Sequence, residues 1–180
     1  MQRDPIHSAC FLVEGHVDVV LTSPDGRDQV LERLGTGQVF NVPALFQAAG
    51  TSHATVQAVD QVLVYAMRKA DLHRLVREHP AFALALLQDF ADRIDHLSSL
   101  VEDLSLRTVR GRLARLLLQQ ADAGQVGQRL TQSEIAARLG TVREMIGRTL
   151  GAFADAGLIQ IDRQRIVLLD REGLESEAYL

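Results

Sequence analysis

Two arginines and a glutamate lie close together late in the chain, at Arg143, Glu144 and Arg148 in the stretch TVREMIGRTL. In a helix that begins near Thr141, these three side chains and Gly147 share the outward face, because residues three and four apart are neighbours on a helix surface. An arginine fork can donate two hydrogen bonds to guanine O6 and N7, and a glutamate can accept one from cytosine N4. The residue types and their spacing therefore predict a helix that reads base edges in DNA.

The residues just before this helix, TQSEIAARLG, supply a first helix to hold it. Thr131 and Glu134 match the S/T-x-x-E capping box, and Gly140 suits the left-handed residue that ends a helix. Thr141 and Glu144 repeat the box, so a second capped helix is predicted directly afterwards. The pattern predicts a helix-turn-helix. The alternative is a pair of packed helices whose arginines are simply solvated.

The pattern G-x-x-R-E-x-x-x-R, formed by Gly140, Arg143, Glu144 and Arg148, resembles the DNA-binding motif of the Crp/Fnr family of bacterial transcription factors. That family is named for the cyclic-AMP receptor protein and the fumarate-nitrate regulator. The resemblance implies base contacts by Arg143, Glu144 and Arg148, a homodimer, and an inverted-repeat operator read through helix 141–150. It also implies RNA polymerase as a partner. The alternative is a sensor module of the same family with weak or lost DNA binding.

Charge is divided unevenly along the chain, whose net charge is −4. Residues 1–108 hold 9 basic and 14 acidic side chains, a net charge of −5. Residues 109–169 hold 9 basic and 5 acidic side chains, a net charge of +4. The segment with the predicted helix-turn-helix is therefore the basic one, as phosphate attraction requires.

A β-hairpin is predicted after the second helix, with strands at 158–161 and 166–169 around the tip DRQR. Such a wing beside a recognition helix can carry its arginines to phosphate oxygens, although exposed turn arginines are also common. A loop is expected at 124–127, before the first helix. The residues predicted to contact the DNA backbone are Thr131, Gln132, Thr141, Arg163 and Arg165.

A long helix is predicted over residues 81–106, because apolar residues recur there at alternating intervals of three and four. Branched residues at one seam position and mostly leucine at the other favour a parallel two-stranded coiled coil. We therefore predict that this helix forms a dimer interface. The alternative is a helix that packs only on its own domain. The predicted interface residues are Leu87, Phe90, Ile94, Leu97, Val101 and Leu104.

Antiparallel strands are predicted upstream of the long helix. Apolar and polar residues alternate from 10 to 21, which is typical of one half-buried strand, and PDG at 24–26 turns the chain into a second strand at 27–34. Regularly spaced short strands with glycine-rich turns indicate an antiparallel roll or barrel. Further strands are expected at 39–41, 54–59 and 62–67, and a short helix at 70–79.

The run LVEGHVDVVLTSPDGRDQVLERLGTGQVF is similar to the effector-binding β-roll of the same family. The family's roll begins well before the equivalent of Met1, which implies either a roll shortened at its start or a chain that begins further upstream. The expected fold is α+β, with an N-terminal antiparallel β-roll, a long dimerisation helix and a C-terminal winged helix-turn-helix. The expected domains are 1–80, 81–106 and 107–180.

The predicted effector pocket departs from the pattern of the family's cyclic-nucleotide binders. Those proteins carry F-G-E, whose glutamate takes the ribose, and an Arg-Ser pair that holds the phosphate. Here Phe40, Asn41 and Val42 stand at the first place and Ser52 and His53 at the second, so neither the carboxylate nor the arginine is present there. Losing both contacts weakens the binding of cyclic AMP by several kcal/mol, on the order of one strong hydrogen bond for each contact. We therefore expect cyclic AMP not to be the effector.

Two other kinds of effector chemistry stay open. Family members that bind haem use an axial ligand such as histidine, and His53 is the candidate here, although a loop histidine is more often solvated. Other family members have no known ligand. The family's adenine-contacting Thr-Ser pair on the dimer helix falls on Leu97 and Ser98, which adds both to the predicted pocket. The effector, the target genes and the sign of regulation stay open.

Composition excludes several classes. With 180 residues, 47% hydrophobic and 23% charged, the chain is typical of a soluble protein, and its N-terminus lacks the order of a signal peptide, so we expect a cytoplasmic protein without a membrane span. A single cysteine, Cys10, cannot form an internal disulfide or hold a four-cysteine cluster. A cupin-type metal enzyme is the one catalytic alternative, but the chain has no His-x-His motif. We therefore expect no metal site and no enzyme.

Overall fold

A computed structural model of the chain describes residues 2, 4–123, 131–162 and 165–179. The chain forms two compact units, Met1–Ser98 and Ser99–Leu180. Their boundary lies inside a helix of 27 residues, Pro80–Leu106. In the described residues, no helix combines the length and the apolar character needed to cross a membrane.

Unit 1 is built on two three-stranded antiparallel sheets. The sheet orders are β4-β1-β6 and β3-β2-β5, so the chain passes from one sheet to the other at every connection except the one between β2 and β3. The α+β fold with an N-terminal β-roll is therefore confirmed. In chain order the strands are β1 (Ser8–Glu14), β2 (Val17–Thr22), β3 (Asp28–Leu34), β4 (Val39–Phe40), β5 (Thr55–Ala58) and β6 (Leu63–Arg68).

The single strand predicted at 10–21 is wrong, because the chain turns at Gly15 and β1 and β2 enter different sheets. Gly15 has a φ of 85°, and a Cβ there would collide with the backbone carbonyl of Gln61. The N–H of His16 then donates to Oδ1 of Asp60 at 2.7 Å, which fixes the turn. Alternation continues through a break of this kind, so periodicity alone does not reveal it.

The helices of unit 1 are α1 (Val42–Phe46), α2 (Lys69–Glu78) and the part of α3 (Pro80–Leu106) that ends at Ser98. The sequence predicted α2 and α3 to within a residue or two, and Pro80 occupies the first turn of α3, where its missing N–H is tolerated. The sequence did not predict α1. Asn41 takes a left-handed conformation with a φ of 66° and ends β4, one residue earlier than expected.

The main core of unit 1 joins the β4-β1-β6 sheet to the helices. Buried side chains from β1, β4, α1, α2 and α3 form one cluster, and Phe82 and Phe90 of α3 pack against it. The first turns of α3 thus belong to unit 1. The fully buried members of this cluster and of a second cluster between the sheets include Ala9, Val42, Leu45, Leu72 and Leu34.

After the end of α3, the described residues of unit 2 form three helices, a hairpin and a last helix, which confirm the predicted winged helix-turn-helix fold. Its elements are α4 (Val109–Asp122), α5 (Gln132–Leu139), α6 (Arg143–Asp155), β7 (Ile159–Asp162), β8 (Arg165–Leu168) and α7 (Arg171–Ala178). The sequence did not predict α7, which begins where Oδ1 of Asp170 accepts from the N–H of Gly173 at 3.0 Å. The loop predicted at 124–127 lies outside the described residues.

One core cluster holds α4, α5, α6, the hairpin and α7 together. Its largest side chain, Phe153 of α6, is fully buried. Arg110 of α4 donates two hydrogen bonds to the carboxylate of Glu177 on α7, and its guanidinium lies 4.8 Å from the centre of the Phe153 ring. These bonds hold the pKa of the Glu177 carboxyl below its usual range and raise the pKa of Arg110. The ion pair between Arg110 and Glu177, together with the contact to Phe153, therefore supports α6 from the side opposite its exposed face.

Candidate nucleic-acid interface and effector cavity

The first helix of the helix-turn-helix is capped as predicted. The Thr131 hydroxyl accepts from the N–H of Glu134 at 3.2 Å, and the N–H of Thr131 donates to Oε2 of Glu134 at 2.7 Å. At the other end, Gly140 takes the left-handed conformation with a φ of 61°. Ile135, Ala136 and Leu139 are buried beneath α6 in the shared core, so small Ala136 lies where the two helices cross.

The capping box predicted for the second helix is wrong. The N-cap residue of α6 is Val142, and no side chain caps the helix. Glu144 is therefore the second residue of α6, one position too early for the reciprocal bond. Its carboxylate instead lies 3.8 Å from Nη2 of Arg148, one turn further along. The Thr141 N–H is used by the preceding turn, where it donates to the carbonyl of Ala136 at 3.0 Å.

We expect Thr131→Ala to lower the free energy of unfolding by about 1 kcal/mol, the usual cost of removing a side-chain cap. Thr141→Ala is the matched control, and its loss should stay under about 0.5 kcal/mol because its hydroxyl caps no helix. Urea denaturation of both variants measures the difference. Equal losses would mean that Thr141 also stabilises a helix start.

The predicted base-reading residues lie on the exposed face of α6. The side chains of Arg148 and Glu144 are 74% and 83% exposed, and Arg143 is also exposed. On the opposite face, Ile146 and Leu150 are buried in the core. Two guanidinium groups and a carboxylate are thus exposed on one face of a helix whose opposite face is held in the core, as reading of the major groove requires.

Gly147 is half-buried and does not point freely outward as predicted. A Cβ at this position would lie 3.3 Å from Oε1 of Gln132, the first residue of α5. The glycine thus allows the start of α5 to approach α6 closely.

A cleft of about 490 Å³ lies beside α6. The start of α5 supplies Thr131, Gln132 and Ser133 to its wall, α6 supplies Arg143, and the hairpin supplies Ile161 and Ile166. A helix N-terminus and an arginine both attract anions, so this cleft suits a phosphate group. The structure thus brings two predicted backbone-contacting residues, Thr131 and Gln132, next to one predicted base-contacting residue.

The other predicted backbone contacts are more dispersed. Arg165 is exposed on β8, opposite Asp162 in the hairpin. Thr141 is half-buried in the turn between α5 and α6. Arg163 lies outside the described residues.

An apolar stripe lies exposed along α3. Leu87, Ile94 and Val101 are 62%, 63% and 62% exposed. Leu97 and Leu104 continue the stripe at 42% and 38%. Phe90, the remaining residue of the predicted interface, is partly buried and packs against the core of unit 1. One of the six predicted interface residues therefore faces its own domain.

A cavity of about 430 Å³ lies in unit 1, lined by residues of β2, β3, β4, α1, β5 and α3. Five of the seven residues of the predicted effector pocket line it, namely Phe40, Asn41, Ser52, His53 and Leu97. Two do not line it. Val42 is buried in the main core, and the Ser98 hydroxyl donates to the carbonyl of Ile94 at 2.8 Å on exposed helix surface.

An arginine that the sequence reasoning missed also lines this cavity. Arg93 comes from α3 and not from the roll, and its side chain is 16% exposed. Its Nη2 donates to the carbonyl of Val39, its Nε lies 2.9 Å from Oδ2 of Asp89, and its Nη1 lies 3.6 Å from Oε2 of Glu32. The heptad pattern places Arg93 beside the seam, directly before a seam position, but does not show that it faces the cavity.

Histidine and cysteine side chains are the possible metal and redox groups of the chain. In the described ranges, no group of three or more His, Cys, Asp or Glu side chains could hold a metal ion. His53 is an exposed residue in the cavity wall. Cys10 is half-buried in β1, and burial raises the pKa of its thiol.

The fold and these surfaces define a protein class: a β-roll joined through a long helix to a winged helix-turn-helix. Two family models match the chain, one described as "Cyclic nucleotide-binding domain" over residues 1–79 and one as "Crp-like helix-turn-helix domain" over residues 111–177. Together with the curated relatives described next, these matches show that the chain belongs to the Crp/Fnr family of transcription regulators.

Two relatives have curated functions. The CRP-like cAMP-activated global transcriptional regulator of Mycobacterium tuberculosis is 28% identical over 98% of this chain and 82% of the relative. The cAMP-activated global transcriptional regulator Vfr of Pseudomonas aeruginosa is 29% identical over 92% of this chain and 82% of the relative. At the level these relatives share, the chain is a DNA-binding transcription regulator.

Two solved structures share the fold. The c-di-GMP responsive global regulator CLP of Xanthomonas campestris matches with a TM-score of 0.85 and 21% identity, covering 93% of this chain and 87% of that chain. A Crp/Fnr-family transcriptional regulator from Eubacterium rectale matches with a TM-score of 0.81 and 21% identity, covering 98% and 82%.

Proposed function

We propose that the chain is a homodimeric regulator that binds an inverted-repeat operator through α6 and that does not depend on cyclic AMP. In this proposal residues 1–80 are the sensor, 81–106 the dimer helix and 107–180 the DNA-binding domain. The observation that carries it is the exposed face of Arg143, Glu144 and Arg148 on a helix whose opposite face is buried. The family resemblance adds RNA polymerase as a partner and bacterial DNA in the cytoplasm as the target, and we propose no catalytic role.

Dimerisation is supported by the exposed stripe of α3. Apolar side chains at Leu87, Ile94 and Val101 are each more than half exposed, although they lie on one seam of a long helix. A second copy of the same helix can cover such a seam, because side chains repeating every three and four residues fit into the gaps of a parallel partner. Two copies of α6 would then meet two half-sites of one operator.

Binding to duplex DNA should weaken steeply with salt. Each phosphate neutralised by a basic side chain releases counterions, so the logarithm of the affinity should fall with the logarithm of salt by about 0.9 per phosphate contacted. Fluorescence anisotropy with a labelled duplex, titrated at several salt concentrations, measures this slope. Failure to bind any duplex at low salt would refute the proposal and favour a sensor module that has lost DNA binding.

Cyclic AMP should change neither the melting temperature nor the affinity for DNA, even at millimolar concentration. The family's phosphate-binding arginine has no counterpart in the roll, and Arg93 already faces two carboxylates. Any ligand that binds the folded state raises its stability by mass action, by about 2.7 kcal/mol at a hundred times its dissociation constant. Thermal unfolding with and without the nucleotide is therefore a direct measurement. A clear rise in melting temperature would contradict this part of the proposal.

Haem is a candidate effector in place of cyclic AMP, and one observation favours it. His53 lines the cavity, and histidine is a common axial ligand of haem iron. An absorption spectrum of the purified protein shows whether it binds haem. A Soret band that is lost in His53→Ala would establish haem, whereas a spectrum without it would leave an effector of another kind.

A further inference from the structure

The cavity in unit 1 has mostly apolar walls. Its lining includes Leu31, Phe40, Val56, Phe90, Ile94 and Leu97. Its volume of about 430 Å³ lies in the range of small-molecule sites, which is about 300 to 1,000 Å³. Walls of this kind favour a ligand that gives up little hydration when it enters.

The charges near the cavity are arranged against an anion. Arg93 and Glu32 both line the cavity, 3.6 Å apart at their nearest atoms, and Asp89 contacts the same guanidinium at 2.9 Å. Their side chains are 16%, 20% and 26% exposed, so solvent screens them only in part. Two carboxylates thus surround one arginine, and a phosphate or carboxylate on a ligand would have to compete with both.

Uncharged polar groups are available from one segment of the roll. Asn41, Gln47 and Thr51 line the cavity and can exchange hydrogen bonds with a hydroxyl, carbonyl or amide. The Ser52 hydroxyl already donates to the carbonyl of Ala54, so it contributes less.

We infer that this cavity binds an uncharged, largely apolar small molecule that carries a neutral polar group, an inference that rests on the proposed sensor role of unit 1. Such a ligand would touch Phe90, Ile94 and Leu97 of α3 on one side and the roll on the other. It would leave the pairing of Arg93 with Glu32 intact. Neutral ligands are therefore accepted and anions of the same shape are excluded.

Two fluorescent probes with the same aromatic skeleton test this charge rule. N-phenyl-1-naphthylamine is neutral, and 1-anilinonaphthalene-8-sulfonate adds one sulfonate. The neutral probe should bind the full-length protein saturably and at least about tenfold more tightly than the sulfonate. Glu32→Gln should tighten binding of the sulfonate severalfold, because it removes one carboxylate facing Arg93, and should narrow the difference in affinity between the two probes. A sulfonate that binds as tightly as the neutral probe would overturn the inference.

Variants that fill the cavity test where the neutral probe binds. Val56→Trp places a large ring in the wall, whereas Gln57→Trp adds the same ring at the neighbouring exposed position of β5. Val56→Trp should weaken the neutral probe at least about tenfold, and Gln57→Trp should leave it unchanged. Ala54→Phe serves as a second filling variant if Val56→Trp melts at a much lower temperature. Undiminished binding to a filling variant that melts like wild type would assign the probe to another surface, such as the α3 stripe, and would refute the inference.

The same samples are tested for salt-dependent binding to duplex DNA. If the protein binds the neutral probe but no DNA, the inferred ligand class is supported and the proposed function is refuted. If the protein binds DNA but does not bind the neutral probe saturably, the proposed function is supported and the inferred ligand class is refuted.

Discussion

We expect Val101→Asp to leave the protein monomeric at micromolar concentration, where wild type should sediment as a dimer. Val101 is 62% exposed on α3 and occupies a seam position of the proposed coiled coil. In a parallel dimer the two substituted carboxylates would face each other in an apolar seam without a partner. An uncompensated buried charge costs about 3 to 5 kcal/mol, so the dimer dissociation constant should rise at least a hundredfold.

The control for this substitution is Ser99→Asp. Ser99 is also exposed on α3 but lies on the side of the helix away from the seam, so the same carboxylate stays in water there. Val101 is also a better position than Leu97, because Leu97 lines the effector cavity and a charge there would change two properties at once. Sedimentation velocity of both variants gives the result. A Val101→Asp protein that remains a dimer would exclude this part of α3 from the interface.

Sequence patterns predicted the regular elements of the fold well where one local rule decides the structure. The capping box at Thr131, the left-handed Gly140 and the burial of Ile146 all depend on residues within one or two turns, and each is present. The second capping box failed because Gly140 ends α5 and the chain needs one more extended residue before α6. Val142 therefore takes the N-cap position, although threonine at 141 has the better side chain for it.

Contacts between distant parts of the chain were not predictable from these patterns. Gly15 breaks a continuous alternation because the roll brings Gln61 against it, 46 positions away. Phe90 follows the period of the seam, yet its side chain packs against the core of unit 1. Arg93 enters the cavity because Val39 and Glu32 lie opposite it in space. Each case depends on a tertiary neighbour that helix and strand periods do not encode.

The candidate site itself was predicted unevenly for the same reason. The exposed positions of Arg143 and Arg148 follow from one helix, and the sequence specified them. The cleft beside Arg143 needs α5, α6 and the hairpin together, and it appears only in the structure. The effector cavity likewise needs six elements, so its residues could be anticipated only by resemblance and two of the seven were misplaced.

Replacing either exposed arginine of α6 should reduce both affinity and selectivity for the operator. We expect Arg143→Ala and Arg148→Ala each to cost about 1 to 3 kcal/mol per half-site and to relax the preference at one guanine. Loss of Arg148 also removes the ion pair with Glu144, but that pair is 3.8 Å long and exposed, so its loss adds little. Both variants should fold as wild type does, because neither side chain is part of the buried core.

Arg165→Ala separates backbone contact from base reading. Arg165 is exposed on the hairpin, and we expect it to contact phosphate oxygens and not base edges. Its removal should weaken binding to all duplexes alike and lower the salt slope by about one. Arg171→Ala is a further control, because Arg171 is paired with Asp122 and Glu175 at the start of α7. It should leave both affinity and salt slope unchanged.

Selection from a random duplex library distinguishes these roles. Wild type should recover an inverted repeat whose half-sites lie about 10 base pairs apart, because two copies of α6 in a symmetric dimer meet successive major grooves. Arg148→Ala should recover a repeat that has lost one guanine preference in each half, whereas Arg165→Ala should recover the wild-type repeat at lower yield. If wild type and Arg148→Ala recover the same consensus, Arg148 does not read a base. If wild type recovers no inverted repeat, α6 does not act in a symmetric pair, and the dimer proposed for α3 would have to serve the sensor alone.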